Sequence, residues 1–505
     1  MDRQTKWIIL FFCIIKLALH LIADTHSGFQ GDELLHIETG KHVAFGFMEF
    51  PPFISLLAFI QNLFHSNSVF IHHLFSHTTA VLILIYVAKI TVALGGKRVA
   101  VFLVLLALII APGFGRSQQL FQPVVFSQLF WVLGFYQLIR FIKNRDKKSL
   151  WYLTGICILG FLTKYDSVFF IAGLSALLFF TKTRTALIAN KFWINILVFL
   201  VCITPNIIWQ YANDFPLFQM TARLYETQLD DLSRFENLTN LFIGINPLVS
   251  LILVIPAVVY LIREKHNTSV RMLGIAVAVS FLVLLYKNGK GYYFYPIILT
   301  LLPFGALFWE HLITKRKWIV YPITILLIIG GILIPFGMPV YTFDHYLENI
   351  YPFEEKEVQG GTYGVKYDEY YTQEKWKTTM NTLKTVYDSL PSNEKQTSLI
   401  WGKHYAQAGA VNLYGASYGI PKAFSYHGSF YSWAPKGDMP ETVVALSYQV
   451  GDFFKPYFED ITLVKTMYNP YADTEEELYQ KIYICKGPRQ HFDEMKKLFK
   501  TRIFE

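Results

Sequence analysis

Long apolar segments recur along the first two thirds of the chain, and they constrain its fold more than any other feature. The chain of 505 residues is 53% hydrophobic and 16% charged, whereas soluble domains have roughly 25% charged residues. Since a membrane-spanning helix needs about 20 mostly apolar residues, we predict a polytopic α-helical membrane protein with about eleven transmembrane helices. The predicted spans are 7–23, 69–94, 99–113, 121–142, 150–163, 167–181, 191–210, 245–262, 272–286, 293–311 and 318–339.

Basic residues are concentrated in alternate loops between these segments. Membrane topology therefore explains the net charge of +8, and nucleic acid is not an expected partner. Because cytoplasmic loops carry an excess of Lys and Arg, the pattern predicts a cytoplasmic N-terminus and places the first loop and the C-terminal region outside. The first segment contains Lys16 and His20 and has no small-residue cleavage site, which favours an uncleaved anchor over a signal peptide.

The composition changes after the last apolar segment. Residues 341–505 are soluble in character, and helical stretches alternate there with short β-rich runs, so we predict a C-terminal soluble α/β domain. Residues 1–340 form the predicted transmembrane domain. Its first outside loop, 24–68, has helical apolar spacing on both sides of Pro51 and Pro52, which predicts two interfacial helices lying on the membrane.

Asp32 and Glu33 are adjacent in this first outside loop. Two carboxylates beside a low-dielectric boundary repel each other, so one can act as a general base, and together they can bind a divalent cation. The alternative is a solvated loop in which Asp32 caps a following helix. The pair alone does not decide between these interpretations.

Cations accompany aromatic residues at the outside ends of two later segments. Lys164 and Tyr165 lie between two short spans, and the tract from Lys287 to Tyr295 contains two lysines and a tyrosine cluster. Lysines in these places could bind a phosphate whose lipid tail lies between helices. The alternatives are a lysine paired locally with Asp166 and an ordinary aromatic belt.

The histidines near the outside face are less informative. His73 and His77 are one helical turn apart, which suits a metal pair, but no third ligand stands at a motif distance, so we interpret them as membrane-interface histidines. His36 and Glu49 share the first loop with the acidic pair. Arg116 is a further outside cation that could meet a phosphate.

Two segments of the soluble tail, 404–410 and 425–435, contain residues that could carry function. The second is dense in aromatic and small polar residues, which often marks a carbohydrate or acceptor surface, and it can equally be a well-packed loop. Three of the four cysteines lie in apolar segments, so no disulfide framework or thiolate metal site is predicted.

Four tracts, in their order along the chain, resemble bacterial dolichyl-phosphate-mannose protein mannosyltransferase-like glycosyltransferases. This family belongs to the GT-C superfamily and includes the aminoarabinose transferase. The resemblance covers about residues 20–310, and each tract is a weak motif by itself. The tracts are Asp32-Glu33 with Pro51-Pro52-Phe53, Leu162-Thr163-Lys164-Tyr165, Thr204-Pro205-Asn206-Ile207-Ile208-Trp209-Gln210-Tyr211, and Gly289-Lys290-Gly291-Tyr292-Tyr293.

The resemblance implies an inverting transfer of a sugar from a polyprenyl-phosphate-linked donor to an extracytoplasmic lipid, glycan or protein. It implies that Asp32 is the base and that Glu33 orients it or helps to bind a metal, so a divalent cation (Mg²⁺, Mn²⁺ or Zn²⁺) at this pair is left open. The implied donor-phosphate site comprises Lys164, Tyr165, Lys287, Lys290, Tyr292, Tyr293 and Arg116. The residues implied in acceptor binding or loop support are His36, Glu49, Pro51 and Pro52.

A polytopic transporter or flippase of lipid-linked or anionic substrates is the alternative function. Transporters place polar groups and broken helices near the bilayer midplane, whereas here the predicted spans are nearly free of acidic residues and the candidate groups share one face. The bacterial resemblance implies the inner membrane and a periplasmic C-terminal domain. Neither the sugar nor the acceptor has a linear signature, because pocket side chains recognise both.

Overall fold

The computed structural model describes residues 1–229, 233–264, 266–350, 356–358, 361–363, 370–448, 453–472 and 476–504. Its residues divide into two compact units. The membrane unit comprises Met1–Leu21, Phe50–Phe53 and His73–Met338, and the mixed unit comprises Ile22–Glu49, Ile54–His72 and Pro339–Glu505. The domain division predicted near residue 340 stays a prediction.

Apolar helices dominate the chain up to residue 336. Two of them, α2 and α3, belong to the first loop. The helices are α1 (Arg3–His26), α2 (Gly31–Thr39), α3 (Phe53–Asn62), α4 (Val69–Ala93), α5 (Arg98–Ile110), α6 (Pro112–Gln119), α7 (Pro123–Asn144), α8 (Lys147–Thr163), α9 (Ser167–Ser175), α10 (Thr181–Ala189), α11 (Phe192–Ala212), α12 (Pro216–Leu224), α13 (Arg234–Ile245), α14 (Pro247–Arg263), α15 (Thr268–Tyr286), α16 (Tyr295–Lys315) and α17 (Val320–Gly330).

Seven of the described helices are long and apolar enough to cross a membrane, and the number rises to ten if each of three sharply bent helix pairs is one span. These pairs join α5 to α6, α9 to α10 and α13 to α14, with bends of 67°, 105° and 99°. The predicted span 150–163 corresponds to α8, which has 17 residues. The prediction of a polytopic helical membrane protein is confirmed, whereas the count of about eleven spans is not.

Proline and a buried asparagine define two of these bends. Pro112 starts α6 directly after Ala111, whose extended backbone ends α5, because proline cannot donate the backbone hydrogen bond that would continue a helix. Asn246 separates α13 from α14, and its amide nitrogen donates to the carbonyls of Ile110 and Gly330 at 3.1 and 2.9 Å. One buried side chain thus satisfies carbonyls at the ends of α5 and α17.

The C-terminal part of the mixed unit contains a five-stranded sheet with the strand order β4-β3-β5-β7-β6. The pairs β4-β3 and β3-β5 are parallel, while β5-β7 and β7-β6 are antiparallel. All six residues of β5 are buried, as expected of a central strand. The strands of this sheet are β3 (Leu399–Gly402), β4 (Ala423–Phe424), β5 (Thr442–Ser447), β6 (Phe458–Tyr468) and β7 (Tyr479–Pro488). Two shorter strands, β1 (Lys356–Val358) and β2 (Gly361–Tyr363), form a separate antiparallel pair.

Six α-helices lie among the described residues of this part, so the predicted C-terminal α/β region is confirmed. Its core surrounds Trp401 on β3, which is 1% exposed and packs against Phe424 and Phe454 with ring centroids 5.6 and 5.3 Å away. The helices are α18 (Phe343–Asn349), α19 (Thr372–Ser389), α20 (Ser392–Lys395), α21 (Tyr405–Tyr414), α22 (Phe430–Trp433) and α23 (Phe492–Phe499).

The two helices predicted around the proline pair are present as α2 and α3, and they differ in burial. Seven of the nine residues of α2 are buried. Helix α21 packs against α2. The two helices are so close that a Cβ atom added at Gly409 of α21 would lie 2.9 Å from the Cβ of Leu34 of α2. By contrast, α3 exposes Leu56, Phe59 and Ile60. Of the two, α3 is therefore the helix whose apolar side chains are free to meet a membrane surface.

Candidate active site

The acidic pair lies in the first turn of α2, and a different residue caps the helix. The side chain of Gln30 accepts a hydrogen bond from the Asp32 amide at 3.0 Å, and Glu33 Oε2 accepts one from the Gln30 amide at 2.8 Å. This reciprocal pair is a capping box. The interpretation of Asp32 as the cap is therefore wrong, and its carboxylate is available for other contacts.

Asp32 receives a hydrogen bond from the C-terminal part of the mixed unit. The phenol of Tyr405, the first residue of α21, donates to Asp32 Oδ1 at 2.5 Å. Burial, and then the negative charge of Asp32, raise the pKa of Tyr405 well above its ordinary value. The phenol thus stays protonated at physiological pH, and it remains a hydrogen-bond donor to the carboxylate.

Two histidines hold the Tyr405 ring in place. The ring stacks on His427 with centroids 4.7 Å apart and planes at 11°, and His404 lies 4.4 Å from His427 between ring centroids. Burial lowers the pKa of His427 to about 3 and that of His404 well below its ordinary value. Both imidazoles are therefore neutral at physiological pH, and they add no positive charge beside Asp32.

Glu49 belongs to the same unit and contacts the second polar segment of the tail. Its Oε1 accepts a hydrogen bond from the Ser429 amide at 2.8 Å, and its Oε2 accepts one from the Ser429 hydroxyl. Burial raises the pKa of Glu49 to about 7, although the bonds from Ser429 act in the opposite direction. This carboxyl group therefore exchanges a proton near neutral pH.

Gly428 makes the close approach to Glu49 feasible. It has a positive φ of 58°, and a Cβ atom at this position would lie 2.0 Å from Glu49 Oε1. A side chain would therefore both strain the backbone and displace the carboxyl group. We call Asp32, Glu33 and Glu49 the carboxylate cluster.

The membrane unit contains a second candidate group, centred on Lys164. The Lys164 ammonium lies 3.7 Å from the ring centroid of Tyr293 and 5.6 Å from that of Tyr292. It also pairs with Asp166 at 2.8 Å, and Asp166 accepts a hydrogen bond from Ser127 at 2.9 Å. The local pairing with Asp166 is therefore present, and the phosphate-binding role of Lys164 stays a prediction. We call Lys164, Tyr292 and Tyr293 the cation cluster.

Tyr165 connects two of the tracts that carry the family resemblance. Its hydroxyl donates to Asn206 Oδ1 at 3.0 Å and accepts from Gln210 Nε2 at 3.0 Å. Both partners lie on α11, within the tract from Thr204 to Tyr211. The Tyr165 phenol is therefore engaged with α11, which positions the turn that carries Lys164.

Three further cations belong to the predicted phosphate site. The Lys287 ammonium is 5.8 Å from the ring of Tyr286, and the Lys287 carbonyl accepts a hydrogen bond from Tyr225. Lys290 directly precedes the short 3-10 turn that carries the two tyrosines of the cation cluster. Arg116 lies on α6 and is partly exposed. The roles predicted for these cations stay predictions.

The remaining predicted residues lie at the first loop. His36 is buried in α2 at 5% exposure. Pro51 is buried and Pro52 is partly buried, and the pair directly precedes α3. Their support roles stay predictions.

The histidines interpreted as membrane-interface residues are buried. His73 is 0% and His77 is 2% exposed. Both rings are therefore surrounded by protein atoms, and their position relative to a membrane surface stays a prediction.

Sequence reasoning missed Tyr405, His427 and Ser429 as partners of the acidic residues. His427 and Ser429 lie in 425–435, which was interpreted as a possible acceptor surface or a packed loop, whereas no specific role was predicted for 404–410, which contains Tyr405. The aromatic and polar composition of 425–435 was the available signal, but composition does not identify a contact partner in a distant loop.

Comparisons with known proteins give a family match over part of the chain and a fold match over most of it. Residues 50–209 match a family model described as dolichyl-phosphate-mannose-protein mannosyltransferase. The fold is similar to apo ArnT from Cupriavidus metallidurans, with 12% identity, a TM-score of 0.58 and coverage of 96% of this chain and 98% of that chain. The family match confirms the predicted resemblance to dolichyl-phosphate-mannose protein mannosyltransferase-like proteins, and the structural match concerns the fold.

Two further solved structures share this fold. ArnT from Cupriavidus metallidurans bound to undecaprenyl phosphate has 11% identity, a TM-score of 0.58 and coverage of 95% and 98% of the two chains. The apo oligosaccharyltransferase from Archaeoglobus fulgidus has 12% identity and a TM-score of 0.50, with coverage of 84% of this chain and 64% of that one. No curated protein matches the sequence at a significant level.

Proposed function

We propose that this protein is an inverting membrane glycosyltransferase that moves a sugar from a polyprenyl-phosphate-linked donor to an extracytoplasmic acceptor. The observation that supports the proposal most directly concerns Asp32. Gln30 caps α2 in its place, and the Asp32 carboxylate accepts a hydrogen bond from the Tyr405 phenol, which stays protonated. The family match over residues 50–209 supports the class of reaction. The structure of ArnT bound to undecaprenyl phosphate supports the class of donor.

Asp32 is the proposed general base. As the acceptor atom attacks the anomeric carbon on the face opposite the phosphate, its proton passes to the Asp32 carboxylate. A new bond forms to the sugar, while the bond from the anomeric carbon to the phosphate oxygen breaks and its electron pair stays on that oxygen. Tyr405 holds the carboxylate in one orientation, and Glu33 fixes the first turn of α2 through its bond to Gln30.

The cation cluster is the proposed site of the departing phosphate. Negative charge grows on that group during the transfer, and a fixed ammonium stabilises this charge more strongly in the transition state than in the bound donor. Lys164 rests over the Tyr293 ring and beside Asp166, which restricts its position. Lys290, at the start of the same turn as Tyr293, and then Lys287, Arg116 and Tyr165 are proposed as further phosphate contacts.

An apolar cleft in the membrane unit suits the lipid part of the donor. It has a volume of about 640 Å³ and is lined by residues of α13, α14, α15 and α16, including Leu241, Phe281 and Leu301. An isoprenoid chain has no polar groups to satisfy, so an apolar cleft is a suitable environment for it.

The same proposal includes the location of the protein, its membrane topology and the kind of sugar. The chain lies in a bacterial inner membrane with its N-terminus in the cytoplasm and residues 341–505 in the periplasm, and the sugar is a hexose or a pentose. A divalent cation at Asp32 and Glu33 stays a prediction, since carboxylate oxygens suit such ions. The proposed roles of Asp32 and Lys164 do not depend on it.

Transfer from a panel of polyprenyl-phosphate sugars by the purified protein tests the proposal. We expect Asp32→Asn and Lys164→Ala each to lower kcat by about two orders of magnitude or more. Lys384→Ala is the matched control for Lys164→Ala, because Lys384 pairs with Asp388 at the same 2.8 Å but on the exposed face of α19. Wild-type rates in either site variant would refute that residue's role. Movement of lipid-linked substrate without sugar transfer would favour the transporter.

A further inference from the structure

A second apolar cleft in the membrane unit contains no residue of either cluster. Residues of the consecutive helices α7 to α11 line it. Its volume is about 400 Å³, which lies within the range of about 300–1,000 Å³ that ligand pockets have. The lining residues are apolar except for Thr154, Cys157, Ser175 and Asn195. A cleft of this size and chemistry can hold a hydrocarbon chain.

Two basic helix junctions meet beside this cleft. The side-chain amide of Asn190, before α11, donates a hydrogen bond at 3.0 Å to the carbonyl of Arg145, between α7 and α8. The α7–α8 and α10–α11 junctions are therefore in contact. Residues near both junctions line the cleft, namely Phe141, Leu150, Leu187 and Phe192.

The positive charge at these junctions is not compensated by nearby acidic residues. The segments 143–148 and 182–191 contain seven basic residues and one acidic residue. All seven basic side chains are exposed, and none of them forms an ion pair with another residue that the structure describes. The acidic residue, Asp146, is engaged as the N-cap of α8, where it accepts a hydrogen bond from the Ser149 amide at 2.6 Å. Cytoplasmic loops are generally basic, but a basic patch at a cleft between membrane helices is a typical site for an anionic lipid headgroup.

Asn195 supplies an unsatisfied hydrogen-bond acceptor at this cleft. It is 5% exposed and lies four residues after Lys191, near the start of α11. Its amide nitrogen donates to the Thr154 hydroxyl at 3.0 Å, and that hydroxyl donates to the Leu150 carbonyl at 2.9 Å, which fixes the orientation of the amide. Within the described parts of the chain, the Asn195 Oδ1 atom has no donor. Because a buried acceptor without a donor is unfavourable, a ligand with a hydroxyl group would be stabilised here.

We propose that this cleft binds an anionic phospholipid with a hydroxyl-bearing headgroup, such as glycerol. One acyl chain occupies the apolar part of the cleft, and the phosphate contacts Lys147, Lys148 and Lys191 at its basic end. A headgroup hydroxyl donates to the Asn195 Oδ1 atom. A polyprenyl phosphate offers no such hydroxyl, which distinguishes this ligand from the proposed sugar donor. The lipid acts as a structural ligand that holds α8, α9 and α11 together.

Native mass spectrometry of the purified full-length protein in detergent, titrated with defined lipids, tests the proposal. The probes are dioleoyl phosphatidylglycerol, dioleoyl phosphatidylmethanol, which has the same charge but no hydroxyl, and the zwitterionic dioleoyl phosphatidylcholine. We expect one tightly bound equivalent of phosphatidylglycerol and a higher unfolding temperature in its presence. Phosphatidylmethanol should bind about fivefold more weakly, and phosphatidylcholine at least about tenfold more weakly.

Variants test the charged end of the site. Removal of the lysines in Lys147→Gln/Lys148→Gln/Lys191→Gln should weaken phosphatidylglycerol binding by about 100-fold, at about fivefold for each lysine. Lys315→Gln/Arg316→Gln/Lys317→Gln is the matched control. It removes three exposed charges from the junction of α16 and α17, which does not line the cleft, and should leave binding unchanged.

Two further variants test the cleft itself. Asn195→Leu should abolish the preference for phosphatidylglycerol over phosphatidylmethanol, and Cys157→Trp, which fills part of the cleft, should abolish tight binding. The unfolding temperature without lipid shows whether each variant is folded.

Three outcomes would overturn the proposal. Equal affinities of the two triple variants, or tight binding by a folded Cys157→Trp, would show that the lipid is not held in this cleft. A headgroup preference that persists in Asn195→Leu would refute the hydroxyl contact. Displacement of phosphatidylglycerol by an equal concentration of polyprenyl phosphate would assign the cleft to the donor's chain instead. None of these measurements depends on glycosyl transfer.

Discussion

Replacing Tyr405 with phenylalanine isolates the hydrogen bond to Asp32. The variant removes one hydroxyl group and keeps the ring that stacks on His427 at 4.7 Å, so we expect the fold to be retained. The carboxylate loses the donor that orients it. Transfer should therefore slow because Asp32 less often occupies the geometry in which it can accept the acceptor's proton.

The expected size of the effect follows from this contact. A hydrogen bond to a charged group contributes about 1.5–3 kcal/mol. Since Asp32 is partly exposed, water can replace part of the lost bond, and we take the lower range of about 1.5–2 kcal/mol. At 1.4 kcal/mol per factor of ten, kcat/KM should fall by about 10- to 30-fold.

Initial rates with the lipid-linked donor give kcat/KM for the wild type and the variant. Tyr426→Phe is the matched control, since it removes a buried hydroxyl that has no hydrogen-bond partner among the described residues. A wild-type rate in Tyr405→Phe, alongside an inactive Asp32→Asn, would refute the positioning role. A fall in the rate accompanied by a lower unfolding temperature would indicate a structural effect instead.

Three further predictions concern other contacts. Burial raises the pKa of Glu49 from the ordinary 4.5 to about 7, so the folded protein holds this proton more tightly and the free energy of unfolding should fall as pH rises across that range. Thermal unfolding at several pH values should show this decrease in stability for the wild type and not for Glu49→Gln. The same decrease in both proteins would contradict the raised pKa of Glu49. Tyr293→Leu should lower kcat by about 2- to 30-fold, because an aromatic ring 3.7 Å from the Lys164 ammonium contributes about 0.5–2 kcal/mol. Tyr293→Phe keeps the ring and should not lower kcat. Equal kcat values for the Leu and Phe variants would exclude a role of the ring. Gly428→Ala should destabilise the protein by about 1–3 kcal/mol more than Gly419→Ala, since both have positive φ but only Gly428 faces a carboxylate. Denaturant unfolding measures this difference in stability. Equal destabilisation of the two variants would show that the contact between the new Cβ atom and Glu49 is relieved.

The features predicted from the sequence are those with a local signature. Apolar segments of membrane-spanning length identified the helical architecture, and the change of composition identified the C-terminal α/β region. The turn at Lys164 and the tyrosine tract were each recognised locally, and the family resemblance supplied the reason to connect them. Their contact, with Lys164 over Tyr293, then required no long-range inference beyond that resemblance.

The features that escaped prediction depend on distant partners or on unusual local chemistry. Tyr405 and Asp32 are separated by 373 positions, and Ser429 and Glu49 by 380 positions. No periodicity links such pairs. Gln30 was overlooked as the cap of α2 because Ser, Thr, Asp and Asn are the preferred capping residues.

The contact between Tyr405 and Asp32 also has a consequence for biosynthesis. The ribosome makes Asp32 early and reaches Tyr405 only 373 residues later. At about 5–20 residues per second, this interval lasts roughly 20–75 s. During that time the nascent chain carries its candidate base without the phenol that orients it. Because Tyr405 is translated after every membrane-spanning helix, a polypeptide that terminates early would be inserted in the bilayer yet have an incomplete catalytic centre. The protein would therefore reach full activity only after its translation is complete.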